Sequence, residues 1–292
     1  MAVILFLFLL AILYANLKKS ALKALSIAFL TAVGVLICVV VFDRGYNYAL
    51  RKEFSGHVDD NRFVTTMVIY TADREYADYI EDAEVRQVFL DIYDICDSKG
   101  YLMNNAPKNW YDACDHFSDH YDLIQLDTMV AYLKEVVPNM EYAGEVSNDE
   151  VRMDLVKAEI NRSLLPHEIP RIMEVMKNNF FNGMVNTVAK RTPLLCIYSL
   201  LAYLAYAFLY ITLIIMGKKK GFTFSCKSTL IFATFTMISI VANVLLVSAV
   251  IFSQTRYVIY NMPAFYIALV LMMVEGYRFL RKSPSHHFFN KS

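Results

Sequence analysis

The chain has 292 residues, of which 57% are hydrophobic and only 19% charged, and its mean hydropathy is +0.38. With 9 Gly, 7 Pro and 5 Cys, it is not collagen-like, a disordered tract or a disulfide scaffold. The formal charge of zero averages two unlike parts: residues 43–190 carry about −12 and the apolar flanks about +12. That division describes a membrane protein with an acidic, water-facing domain inserted in it.

A helix needs about 20 mainly apolar residues to cross a bilayer. Stretches 21–42, 194–216, 229–252 and 263–280 meet or nearly meet that length, and 2–17 is apolar but short. The expected fold is therefore all-α: a polytopic membrane protein with four or five transmembrane helices and a mainly helical extracytoplasmic domain. Its expected parts are two N-terminal membrane helices (1–42), the acidic domain (43–190), three C-terminal membrane helices (191–282) and a cytoplasmic tail (283–292).

Cytoplasmic loops carry an excess of Lys and Arg. The clusters Lys18–Lys19–Lys23, Lys218–Lys219–Lys220–Lys227 and Arg278–Arg281–Lys282 all fall on one side in a single topology. It places the N-terminus and residues 43–190 outside and the C-terminus inside, as expected for a multi-pass membrane protein. No charge precedes the first apolar run and two lysines follow it, which favours insertion over cleavage as a signal peptide. The start at an apolar run leads to the expectation that the chain is the C-terminal part of a longer protein, or begins at an internal Met.

Within the acidic domain, apolar residues recur at three- and four-residue steps over 75–97 and 110–137, which predicts helices. Residues 63–70 fit a strand or a helix equally. Ser147 with Glu150 reads as a capping box that opens a helix towards Ile160. In 170–190, Ile172, Val175, Met176, Phe180, Met184, Val185 and Val188 form one apolar stripe. It suits either a helix lying on the membrane surface, with Phe180 and Phe181 among the headgroups, or packing against the domain.

His116 and His120, four apart among aspartates, form a weak candidate site for a divalent metal, with no H-E-x-x-H motif. Otherwise no cofactor is implied. Cys96 and Cys114 are either bridged or buried as free thiols. Asn161-Arg162-Ser163 matches a glycosylation sequon. There is no P-loop, Rossmann glycine pattern or G-x-S-x-G, and an acidic domain repels nucleic acid, so neither nucleotide nor nucleic acid is an expected partner. The lipid bilayer is.

The loop 253–266 places Arg256, Tyr257, Tyr260 and Asn261 at the outer interface, either to anchor spans or to bind a ligand by guanidinium–phosphate contact and ring stacking. Glu275, within the last span, stands three residues from Arg278 and fits an ion pair that snorkels to the interface. Tyr203, Tyr206 and Tyr210 form a helix-packing stripe.

The external insert followed by spans and the segment R-Y-x-x-x-x-x-P, Arg256-Tyr257 to Pro263, resembles the C-terminal half of bacterial GT-C-type membrane glycosyltransferases. The segments N-R-F-V-T-T (61–66), S-L-L-P (163–166) and N-N-F-F-N-G-M-V-N-T-V-A-K (178–190) also look like those of bacterial multi-span proteins. The resemblance implies transfer of sugar from a polyprenyl-phosphate donor on the outer face of the plasma membrane, in cell-envelope assembly. It implies that Arg256 holds the lipid phosphate, flanked by Tyr257 and Tyr260. The family's catalytic acid lies just beyond its first span; here that loop is cytoplasmic and has none. The nearest candidates for a general base are Asp43, Asp59 and Asp60. The alternative is a non-catalytic membrane protein whose external domain binds a partner or an envelope polymer.

Overall fold

The computed structural model describes residues 21–51, 61–250 and 255–281. It is 87% helical, with no strand among the described residues. Among the described residues four helices are long and apolar enough to cross a membrane: Phe29–Leu50, Pro193–Lys220, Phe224–Ala249 and Asn261–Arg281. The short apolar run 2–17 lies outside the described residues. The chain divides into two compact units, Met1–Val175 and Met176–Ser292.

The first unit begins with α1 (Ala21–Arg51), whose Phe29, Ile37 and Phe42 are more than half exposed, a surface suited to lipid rather than water. Helix α2 (Asn61–Thr71) is buried from Thr65 to Thr71. Its β-branched residues made strand and helix equally good readings. The outcome follows from hydroxyl satisfaction, because Thr65, Thr66 and Thr71 donate to the carbonyls of Asn61, Arg62 and Met67 one turn back. These buried groups therefore need no cross-strand partner.

The helix expected over 75–97 is divided. Residues Arg74–Tyr79 form a 3-10 turn, and α3 (Ala83–Ser98) starts afresh at Asp82, whose side chain accepts from the amides of Glu84 and Val85. The helix expected over 110–137 is also compound. Asn109 caps α4 (Trp110–Asp122), which widens into a π-helical stretch, Leu123–Val130, before α5 (Ala131–Val136) and a 3-10 turn at Pro138. The wider winding turns Gln125 inward, where its amide donates to Thr66 Oγ1 and the Tyr121 hydroxyl, both at 3.2 Å. Tyr70, Phe89, Phe117, Tyr121 and Ile124 centre the core of this unit.

Helix α6 (Asp149–Val188) runs from the first unit into the second. Its cap is Asn148, which accepts from Glu150 and Val151, rather than the expected Ser147. The reading was one residue out because Ser and Asn are both strong caps. Pro166 and Pro170 each remove one amide donor without ending the helix.

In the second unit, α7 (Pro193–Lys220), α8 (Phe224–Val250), the short α9 (Thr255–Val258) and α10 (Asn261–Arg281) assemble, with α10 packing on both α8 and α7. Tyr206 stacks on Phe265 at 5.1 Å and Tyr203 meets the same ring edge-on. The tyrosine stripe does join helices. Tyr203 donates to the Met184 carbonyl, Tyr206 to the Ala233 carbonyl, and Tyr210 shares a 2.7 Å hydrogen bond with Thr234. The apolar stripe of α6 packs here too: Phe180, Met184 and Val188 lie against the core of this unit, while Phe181 stays half exposed.

Candidate functional site

The segment at the start of α10 is where the sequence allows either a span anchor or a ligand contact. Arg256, exposed, lies 4.8 Å over the ring of Tyr257, a cation–π contact that steadies the guanidinium. Tyr257 packs partly against the core of its unit, and its carbonyl accepts from Asn243 at 3.3 Å. Tyr260 is 63% exposed. Asn261 is buried, and its amide nitrogen has no hydrogen-bond partner among the described residues. A buried amide donor left unpaired costs about 1–3 kcal/mol, so it marks a position where a ligand acceptor is welcome.

Asp43 lies on the second half of α1, half-buried. Asp59 and Asp60 lie outside the described residues. Asp43 and Arg256 belong to different units.

The histidine pair is committed to the fold. His116 Nε2 donates to the Gly100 carbonyl at 3.2 Å, which leaves Nδ1 to accept from the Tyr70 hydroxyl at 3.1 Å. His120 Nδ1 donates to the His116 carbonyl at 2.7 Å, and its ring lies against Tyr101. Burial, aided by repulsion from His120, lowers the pKa of His116 and keeps it neutral. Among the described residues no group of three or more His, Cys, Asp or Glu is arranged to hold a metal.

Cys96 and Cys114 are free and buried, not bridged. Burial pushes the Cys96 thiol up to about 12. Asn161 of the sequon is also buried within α6, donating to the Asn61 carbonyl at 3.4 Å. Glu275 pairs with Arg278 as expected, with Ser225 as a second donor to the same carboxylate oxygen.

Sequence reasoning missed a polar knot in the first unit. Arg171 of α6 pairs with Asp73 at 2.6 Å and donates to Asn104, which in turn donates to the other oxygen of Asp73. Burial works to raise the Asp73 carboxyl, but the hydrogen bonds from Asn104 and Arg171 outweigh it and hold it below its ordinary range. Glu168, one turn before Arg171, is fully buried, and both its carboxylate oxygens lack a partner in hydrogen-bonding geometry among the described residues. Burial pushes it up to about 7, with Arg171 and Thr71 acting against the rise and the Asp73 charge adding to it. The available signal was P-H-E-I-P, a carboxylate set between two helical prolines, which reads as a helix boundary until the fold is known.

Comparison with protein-family models, with curated proteins and with solved structures finds no match.

Proposed function

We propose that this protein binds a phosphate-linked sugar lipid through Arg256, Tyr257, Tyr260 and Asn261, as a relative of GT-C-type glycosyltransferases at the plasma membrane. The observation that carries the reading is the buried, unpartnered amide of Asn261, five residues after an exposed guanidinium stacked on Tyr257. A guanidinium meets phosphate oxygens with two parallel N–H donors, the exposed phenol of Tyr260 offers a face for a sugar ring, and the Asn261 amide supplies a fixed donor. In the topology that places all three basic clusters in the cytoplasm, this segment and residues 43–190 face outward.

The test is labelling of the full chain, in detergent, by a polyprenyl-phosphate-sugar photoprobe. Arg256→Ala is expected to weaken labelling about 10- to 100-fold, the equivalent of one charge-assisted contact. Asn261→Asp, which keeps the shape but loses the donor, is expected to weaken it as well. Labelling that is indifferent to Arg256 removes the assignment.

A second reading, a non-catalytic membrane protein whose acidic domain binds a partner, is favoured by the state of the side chains in the first unit. Both ring nitrogens of His116 are engaged, and Cys96 and Cys114 are buried thiols. The domain then contributes surface charge rather than a nucleophile. Absence of labelling in the wild-type chain supports this reading.

A further inference from the structure

At the end of the second unit remote in sequence from Arg256, the turn between α7 and α8 meets the last turns of α10 around a cavity of about 330 Å³. It is lined by Thr223, Ser225, Glu275, Arg278 and Phe279. Glu275 is buried and its charge is already met: Ser225 Oγ and Arg278 Nη1 both donate to its Oε1. Arg278 commits only Nη1, to Glu275 and to Ser225 at 3.3 Å, so Nε and Nη2 have no partner among the described residues. Thr223 Oγ1 accepts from the Cys226 amide at 3.1 Å, and its own O–H has no acceptor among the described residues. Lys220 is drawn in by a 3.0 Å hydrogen bond to the Phe279 carbonyl, which uses one of its three N–H donors.

The surroundings repeat the sign. Lys218, Lys219 and Lys220 close α7, Lys227 lies in the first turns of α8, and Arg278 and Arg281 end α10. Against these six cations stands Glu275 alone, already neutralised. The residues beside the cavity in sequence are apolar and open: Phe224 is 86% exposed and Leu280 68%. Free donors, uncompensated positive charge and exposed apolar flanks at one end of three spans are what a phosphate headgroup with its acyl chains requires.

We propose that this cavity is a binding site for the phosphate headgroup of an anionic membrane lipid, held by Arg278, Lys220 and Thr223, with the acyl chains lying along Phe224 and Leu280. Free phosphate shares the headgroup chemistry but gains nothing from the apolar flanks. The site is independent of the sugar-lipid reading, which concerns the opposite end of α10.

The experiment uses the full chain in detergent, with native mass spectrometry and thermal unfolding in the presence of phosphatidylglycerol, phosphatidylcholine or inorganic phosphate. Phosphatidylglycerol is expected to remain bound and to raise the unfolding temperature, and phosphatidylcholine to do neither. Lys220→Gln is expected to weaken phosphatidylglycerol binding about fivefold, the effect of one basic charge at an anionic headgroup. Because Arg278→Gln alone strands a buried carboxylate, it is made together with Glu275→Gln. That neutral pair is expected to fold and to lose binding by a similar factor or more. Equal retention of the two lipids, or binding unchanged in both variants, overturns the proposal. So does protection by inorganic phosphate equal to that by phosphatidylglycerol, which assigns the cavity to a soluble anion.

Discussion

The phenol of Tyr266, in the first turns of α10, donates at 2.8 Å to the main-chain carbonyl of Val188, the last residue of α6. The last four carbonyls of a helix have no acceptor role inside it, and for Val188, the last of them, α10 supplies the donor. Tyr203 serves Met184 at 2.9 Å and Ser199 approaches Val185 at 3.5 Å. The amphipathic end of α6 is thereby fixed to α7 and α10 by hydrogen bonds as well as by Phe180 and Met184.

Tyr266→Phe is therefore expected to cost about 1 kcal/mol, the net worth of one such bond. Tyr203→Phe is expected to cost a similar amount, since each ring keeps its apolar contacts and loses only the donor. Denaturant unfolding of the full chain in detergent measures both. A double variant as stable as the wild type is incompatible with the hydroxyls holding α6.

The fully buried Glu168 gives a pH dependence with a definite sign. Its folded pKa, about 7, stands above that of the unfolded chain, near 4.5, so the folded state holds the extra proton between those values. Stability from this group is complete below about pH 4.5 and declines as pH rises towards 7, by on the order of 3 kcal/mol in all. Glu168→Gln keeps the shape of the neutral acid and cannot ionise. It is expected to flatten that part of the stability–pH profile and to exceed the wild type at pH 8. His116, held neutral, works in the other direction: its contribution is full above about pH 6.5 and lost as pH falls. For that reason the wild-type and Gln profiles are compared by difference.

The spans were readable because apolar length is a signal of composition alone, and the structure has helices at Pro193–Lys220, Phe224–Ala249 and Asn261–Arg281, overlapping the apolar stretches 194–216, 229–252 and 263–280. The acidic domain was readable as helical but not in its breaks. Asp82 looks like one more acid on a helical face until its carboxylate caps α3, and the π-helical winding at Leu123–Val130 depends on burying Gln125 against Thr66, which is 59 positions away. The same limit hid the polar knot. Arg171, Asp73 and Asn104 are distant in sequence, and only the fold of α6 against the preceding turns makes them neighbours. At the segment 256–261 the sequence supplied the residue types, whereas the missing partner of Asn261 is a property of packing.

Cys96 and Cys114 are expected to behave as buried hydrophobes. With the Cys96 thiol pushed up to about 12, almost no thiolate exists at neutral pH, and the thiolate is the reactive form. Maleimide is expected to modify neither in the native state. Both should become reactive in denaturant without prior reduction. A need for reductant before labelling indicates a bridge and contradicts the free-thiol geometry.

Gly217 and Phe222 set the turn that precedes α8, and they yield a prediction whose sign reverses with context. Gly217 is buried near the end of α7, and a methyl group added there meets the Phe222 ring more closely than side chains pack. Four residues on, Gly221 adopts φ +85°, a conformation that suits glycine, so the chain turns back and lays that ring over the helix. Alanine in a helix is worth about 1 kcal/mol over glycine, but only if the methyl group finds room. In the wild type, Gly217→Ala must displace the ring, and the lost packing is expected to outweigh the propensity, leaving the variant less stable by about 1 kcal/mol. In a Phe222→Ala background the obstruction is gone, and the same substitution is expected to stabilise by up to about 1 kcal/mol. A double-mutant cycle by denaturant unfolding reads the difference as a coupling of about 2 kcal/mol. Equal effects in the two backgrounds mean that the Phe222 ring does not occupy this place in solution.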